Sequence, residues 1–188
     1  MISRLTGLLL LSALFAAGEQ VEKLVLTDLT GRKHDPFAAK DTVAAVLVFV
    51  SVDCPIANFY QPSLRKLAAK FGARGVVFFQ VHPDPDLEAA DAKKHAAEYG
   101  LSVPVIIDAG QALVRRLDAE VTPEAFVLTR DHAVAYRGRI DNTYTTFGKR
   151  RPKPTKRDLE AALTAVLAGK KVPTPKTKAI GCQIFVEK

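Results

Sequence analysis

Phe49-Val50-Ser51-Val52-Asp53-Cys54-Pro55-Ile56-Ala57-Asn58 is the stretch where an apolar run stops at a cysteine and a helical pattern begins. Upstream, residues 43–50 (VAAVLVFV) are nearly all apolar and rich in β-branched types, as expected of a strand covered on both faces. From Pro55 the period changes, and Ile56, Phe59, Tyr60, Leu64, Leu67, Ala68 and Phe71 fall on one side of a helix. Proline suits the first helical turn, where its missing N–H had no partner to lose. Cys54 is thereby predicted at a helix N-terminus, where free amide donors and the helix dipole favour thiolate over thiol. The opposing reading is a small buried hydrophobe, the commonest role of a free cysteine.

Before this unit, residues 1–18 carry Arg4, an apolar run from Leu5 to Ala17 and the small residues Ala16-Ala17-Gly18. These are the three regions of a secretory signal peptide, and the run is short for a membrane span of roughly 20 residues. Cleavage is expected to leave no stable membrane insertion, with an uncleaved anchor as the alternative. The folded part is expected to work outside the cytoplasm, in a secreted or periplasmic setting where two cysteines can form a disulfide. The formal charge of +7 is concentrated in Lys149-Arg150-Arg151-Pro152-Lys153 and around Lys170-Lys171, which reads as a solvated basic face and not as a nucleic-acid surface.

Beyond the central strand and helix, Val21 to Thr27 followed by Thr30-Gly31-Arg32 predicts an N-terminal hairpin joined to the larger sheet. Val76 to Val81 is a second buried strand. Its exit, His82-Pro83-Asp84-Pro85-Asp86, leads to a helix from Asp86 to about Tyr99. Val103 to Ile107 is a third strand and Ala109 to Leu117 a short helix. Val121-Thr122-Pro123-Glu124 precedes a fourth strand, Ala125 to Thr129, which turns back as a fifth, Ala133 to Arg139. A long polar loop, residues 140–154, precedes a last helix marked by Thr155 and Asp158 at capping-box spacing and ended by Gly169. The apolar residues of the proline-containing tail predict that it docks on the body, bringing Cys182, the other of the two cysteines, back toward Cys54. Alternating strands and helices followed by a tight strand pair predict an α/β domain, a mixed sheet with helices on both faces. The expected division is a signal at 1–18, one domain at 19–168 and a tail at 169–188.

A strand running into an aromatic and a Cys-Pro helix start, with a Val-Thr-Pro before a later strand, resembles the thioredoxin superfamily. The extra helix and strand at residues 86–107 and the stretches Asp53–Asn58, Arg137–Asp141 and Gly181-Cys182 are similar to the redoxin branch of exported bacterial proteins. The resemblance covers roughly residues 20 to 168. It implies a thioredoxin-like fold and a cis Pro123 beside Cys54, bringing the backbone of Thr122 alongside the sulfur, where an extended substrate could pair. The family's Cys-x-x-Cys is broken here, since Ala57 stands at the second position. A redox cycle would then need Cys182 or another molecule as resolving partner.

Peroxiredoxins, in the same superfamily, place a hydroxyl residue three positions before the reactive cysteine and use a nearby arginine to bind peroxide. Ser51 holds the hydroxyl position and Arg137 or Arg139 could supply the cation, but Leu47 replaces the proline expected seven residues before Cys54. Glu124 resembles an acidic residue of exported reductants and is a candidate proton acceptor, against a solvated strand-start glutamate. The resemblance thus implies a thiol oxidoreductase with no cofactor, acting on protein disulfides or peroxide and recharged by a thiol reductant. The alternatives are a copper carrier using Cys54, His82 and Cys182, and a binding module with a permanent Cys54–Cys182 staple. His34, His95 and His132 are expected to be solvated.

Overall fold

The computed structural model describes residues 23–186, so the predicted signal sequence lies outside the described residues. A five-stranded mixed sheet forms the centre. Its strands are β3 (Ala44–Phe49), β4 (Val76–His82), β5 (Val105–Ile107), β7 (Glu124–Thr129) and β8 (Val134–Gly138). β3 pairs with β4 and β4 with β5 in parallel, while β7 runs antiparallel to both β3 and β8. β3 lies in the middle because each of its six residues is apolar, and all six are buried.

Two apolar layers enclose the sheet. Val46, Val48, Phe78, Val127 and Tyr136 pack against α1 (Pro55–Gly72) and α4 (Asp158–Leu167). Leu47, Phe49, Phe79, Phe126 and Leu128 face α3 (Ala112–Leu117) and the N-terminal segment. Phe49 and Phe126 meet edge-to-face at 5.6 Å between neighbouring strands. Truncating Phe49 to alanine would cost about 3–5 kcal/mol by the usual scale for core aromatics.

Several predicted boundaries shift for local reasons. The hairpin of β1 (Leu26–Thr27) and β2 (Lys33–His34) forms its own two-stranded sheet, tied to β5 by the Leu29 amide donating to the Val105 carbonyl at 3.0 Å. α2 spans Ala89–Glu98 and starts three residues later than the sequence pattern suggests, because Asp84 holds the preceding turn by accepting from the Asp86 amide. α3 is shorter than expected: residues 109–111 stay outside it, and Asp108 caps its start by accepting from the amides of Leu113 and Val114. The capping box at α4 does not form. Thr155 instead accepts from Asn142, and Asp158 holds Arg139. The polar loop contains a small hairpin, β9 (Tyr144–Thr146) with β10 (Lys149–Arg150).

The tail meets the body at two separate places. Along the β8 edge, the Arg137 amide donates to Pro175 and the Thr177 amide to Arg137. Farther on, β11 (Cys182–Gln183) lies antiparallel to β6 (Val121–Thr122), with Cys182 opposite Thr122.

Candidate active site

Cys54 is the residue before the first turn of α1, with Pro55 at the first helical position, and its carbonyl accepts the first helical bond from the Asn58 amide at 2.9 Å. Its sulfur points inward and the residue is 1% exposed. Four hydrogen-bonding groups nevertheless converge on it. As a thiol it donates to the Thr122 carbonyl at 3.0 Å. Burial, the largest single influence, works against ionisation. The Cys182 thiol, the Thr122 hydroxyl and the amides of Ala57 and Cys182 together outweigh it, so the Cys54 pKa falls below the ordinary thiol value. Cys182 moves the other way: burial and the neighbouring Cys54 sulfur raise its pKa to about 12. Both are free cysteines, and of the two it is Cys54 that ionises more readily.

The Thr122–Pro123 peptide is cis, as the resemblance implies. Two distant segments thus meet at Cys54: the β6–Pro123 corner and the C-terminal β11. The other sequence candidates stand around this centre without joining it. Ser51 shapes the turn into the helix, its carbonyl accepting from the Cys54 amide and its hydroxyl from the Asp53 amide. Glu124 is buried and pushed toward its neutral form by desolvation, although the Glu120 amide and Arg137 both bind its carboxylate. Arg137 also reaches Asp118 and Glu120, while Arg139 grips Asp158 of α4 through two hydrogen bonds of 2.8 and 3.2 Å.

His82 ends β4 and is buried at 1% exposure. It packs edge-to-face on His95 at 5.5 Å, and burial lowers its pKa to about 4. Against expectation His95 is also buried, with Nε2 bonded to Asn58 Oδ1 at 2.8 Å. Among the described residues no group of three or more His, Cys, Asp or Glu side chains is arranged to hold a metal ion.

Three contributors were not read from the sequence. Asn58 ties the helix start to the Val52 carbonyl and to His95. Buried Tyr60 donates to Asp141 at 2.7 Å beneath the 140–154 loop, and its helical spacing from Ile56 is the signal that places it inward. Gly181 allows the tail to reach the Thr122 carbonyl, and a glycine directly before the second cysteine is a visible sign of close backbone approach.

The fold and the site together define a thioredoxin-like protein with a single cysteine at the helix start. The chain belongs to the Redoxin family, whose model matches residues 16–162. A thiol-disulfide oxidoreductase, ResA, of Bacillus thuringiensis (strain Al Hakam) is 27% identical over 117 residues, which cover 62% of this chain and 66% of that relative. Two solved structures are each 28% identical with a TM-score of 0.77. One is an uncharacterized conserved protein from Geobacillus kaustophilus, covering 93% of this chain and 94% of that one. The other is a hypothetical protein from Sinorhizobium meliloti 1021, covering 90% and 94%. No helix among the described residues is long and apolar enough to cross a membrane.

Proposed function

We propose that this protein is an exported thiol-disulfide oxidoreductase in which Cys54 and Cys182 form the working couple. The observation that carries the reading is the pairing of β11 with β6, which sets Cys182 opposite Thr122, the residue whose carbonyl accepts from the Cys54 thiol at 3.0 Å. In the reducing direction, the Cys54 thiolate attacks one sulfur of a substrate disulfide and the other sulfur leaves as a thiolate. Cys182 then loses its proton and attacks the Cys54 sulfur of the mixed disulfide, releasing the second substrate thiolate. Two electrons pass to the substrate, and the Cys54–Cys182 disulfide is left for a thiol reductant to reopen. The two sulfurs do this chemistry without a metal or prosthetic group.

Peroxide is the second reading, favoured by the near-complete burial of Cys54, which admits a small oxidant more readily than a protein. There the thiolate takes one peroxide oxygen as sulfenic acid and releases hydroxide. Cys182 condenses with it to the same disulfide plus water.

The test is the reduction potential of the pair, measured by equilibration with thiol buffers and followed by mass spectrometry. A value well above about −300 mV supports a working couple, and one below it makes the bridge a structural staple. Adding peroxide to the reduced protein, alongside Cys182→Ser, separates the oxidants: accumulation of sulfenic acid on Cys54 in the variant supports the second reading.

A further inference from the structure

The strand edge beside Cys54 is already occupied, by the protein's own tail. Cys182 sits opposite Thr122, and the Ile184 amide donates to the Glu120 carbonyl at 2.9 Å. The fit is closed at Gly181. A Cβ at that position would fall 2.0 Å from the Thr122 carbonyl oxygen and 2.5 Å from its carbon, both backbone atoms that cannot move aside. Any residue larger than glycine directly before the cysteine therefore lifts the strand off the edge.

Beyond this point the segment is held by few groups: the Ile184 side chain in the core and the Phe185 carbonyl, which accepts from Gln111 Nε2 at 2.7 Å. In residues 181–186 only Ile184 is buried, while Gln183, Phe185 and Val186 are exposed. The tail has a separate anchor at Pro175–Thr177 on β8, including the Thr177 hydroxyl bonded to Tyr136 at 2.7 Å. Residues 181–186 can thus leave the edge while the tail stays tethered, which keeps Cys182 at high local concentration for its return.

Resting on the proposed exchange activity, we propose that Gly181-Cys182 is a built-in surrogate of the substrate, and that the external partner is an extended polypeptide with glycine directly before its reactive cysteine. The partner pairs antiparallel with Glu120–Thr122 in place of the tail and puts its sulfur where the Cys182 sulfur now lies. Cys54 attacks that sulfur, and the partner's other half leaves as a thiolate. The tail then retakes the edge, expelling the partner as Cys182 attacks Cys54. One seat serves both halves of the reaction, and the Thr122 carbonyl selects what fits it.

Two measurements test this. In the full chain, Gly181→Ala should raise the rate at which a bulky maleimide labels Cys54 by about tenfold, since overpacking a closed contact costs on the order of a decade in affinity. An unchanged rate overturns the surrogate role. In the Gly181→Ala/Cys182→Ser double variant, the pentapeptides Gly-Cys-Gln-Ile-Phe and Ala-Cys-Gln-Ile-Phe are each offered as mixed disulfides with thionitrobenzoate. Release of thionitrobenzoate and the mass of the Cys54–peptide adduct are followed. The glycine peptide is expected to react about tenfold faster by the same reasoning. Equal rates overturn the selectivity and leave the exchange activity standing. Reaction with neither peptide, while iodoacetamide still alkylates Cys54, overturns both.

Discussion

Two buried polar centres touch the first turns of α1, and they resolve the cost of burial in opposite ways. At Cys54 the cost is met by donors: the Cys182 thiol, the Thr122 hydroxyl and two amides surround the sulfur and favour its charged form. At the histidine pair the rings are equally dry, but both nitrogens of His82 and Nδ1 of His95 have no hydrogen-bond partner among the described residues, and burial favours the neutral form. Burial alone does not decide ionisation; the number of donors aimed at the group does. A sulfur whose ionisation is favoured, beside a strand edge, is equipped to react. A neutral imidazole pair between sheet and helices is equipped to pack, and it becomes a liability when acid charges it.

The largest effect expected from breaking the first centre is that of Cys54→Ser, which should abolish exchange with any disulfide, since the attacking sulfur is gone. Turnover of an insulin-type protein disulfide checks it. The same centre predicts that alkylation of Cys54 titrates below the ordinary thiol value of about 8.5, measured as rate against pH in Cys182→Ser relative to a free-cysteine peptide. Cys182→Ala, which removes the side-chain donor that serine keeps, should move the midpoint upward from its position in Cys182→Ser, and an immobile midpoint would remove the Cys182 side chain from the account.

The second centre predicts acid sensitivity. His82 has a folded pKa of about 4 against an ordinary value of 6.5, so the unfolded chain binds the proton first as pH falls. Its contribution is neutral above pH 6.5. Stability then declines between pH 6.5 and about 4, by about 3 kcal/mol in all at 1.36 kcal/mol per pKa unit, and is flat below. Urea midpoints across that range should fall in the wild type and fall less in His82→Leu.

A satisfied polar pair close by provides a control. Gln61 and Gln80 exchange hydrogen bonds of 2.6 and 3.2 Å between α1 and β4. Gln80→Leu should cost about 1–3 kcal/mol by stranding the Gln61 amide, and the Gln61→Leu/Gln80→Leu double variant should recover much of it. The smallest effect is at the surface: Lys70→Ala, which removes an exposed ion pair with Glu160, should change stability by only about 0–1 kcal/mol in the same urea assay.

Most of the fold was legible because its signals are local. The all-apolar β3, the change of period at Pro55 and the strand pair at residues 124–138 each report their environment within a few residues. The failures lie where a side chain found a distant partner. Thr155 and Asp158 have the spacing of a capping box, yet Asn142 and Arg139 engage them instead. His95 sits in a polar helix and reads as solvated, but that helix turns it onto His82. The carboxylate partners of Arg137 and Arg139, Glu124 and Asp158, were likewise not visible along the chain. In the site itself, the role of Cys54 as a helix-start cysteine was readable from Cys-Pro, and the return of Cys182 from the apolar tail. The closed contact at Gly181 was not.

The sequence by itself determined the layers of the sheet, the placement of a cysteine at a helix mouth and the absence of a second thiol three residues later. Those properties follow from the order of residues along one stretch of chain. Only the tertiary structure decided that the Cys54 sulfur is ringed by donors from residues 122 and 182, and that the same tail that supplies the second thiol also covers the edge beside the first. The reason is physical: a thiol's ionisation and accessibility depend on which groups pack around it, and here those groups come from parts of the chain that meet only when it folds.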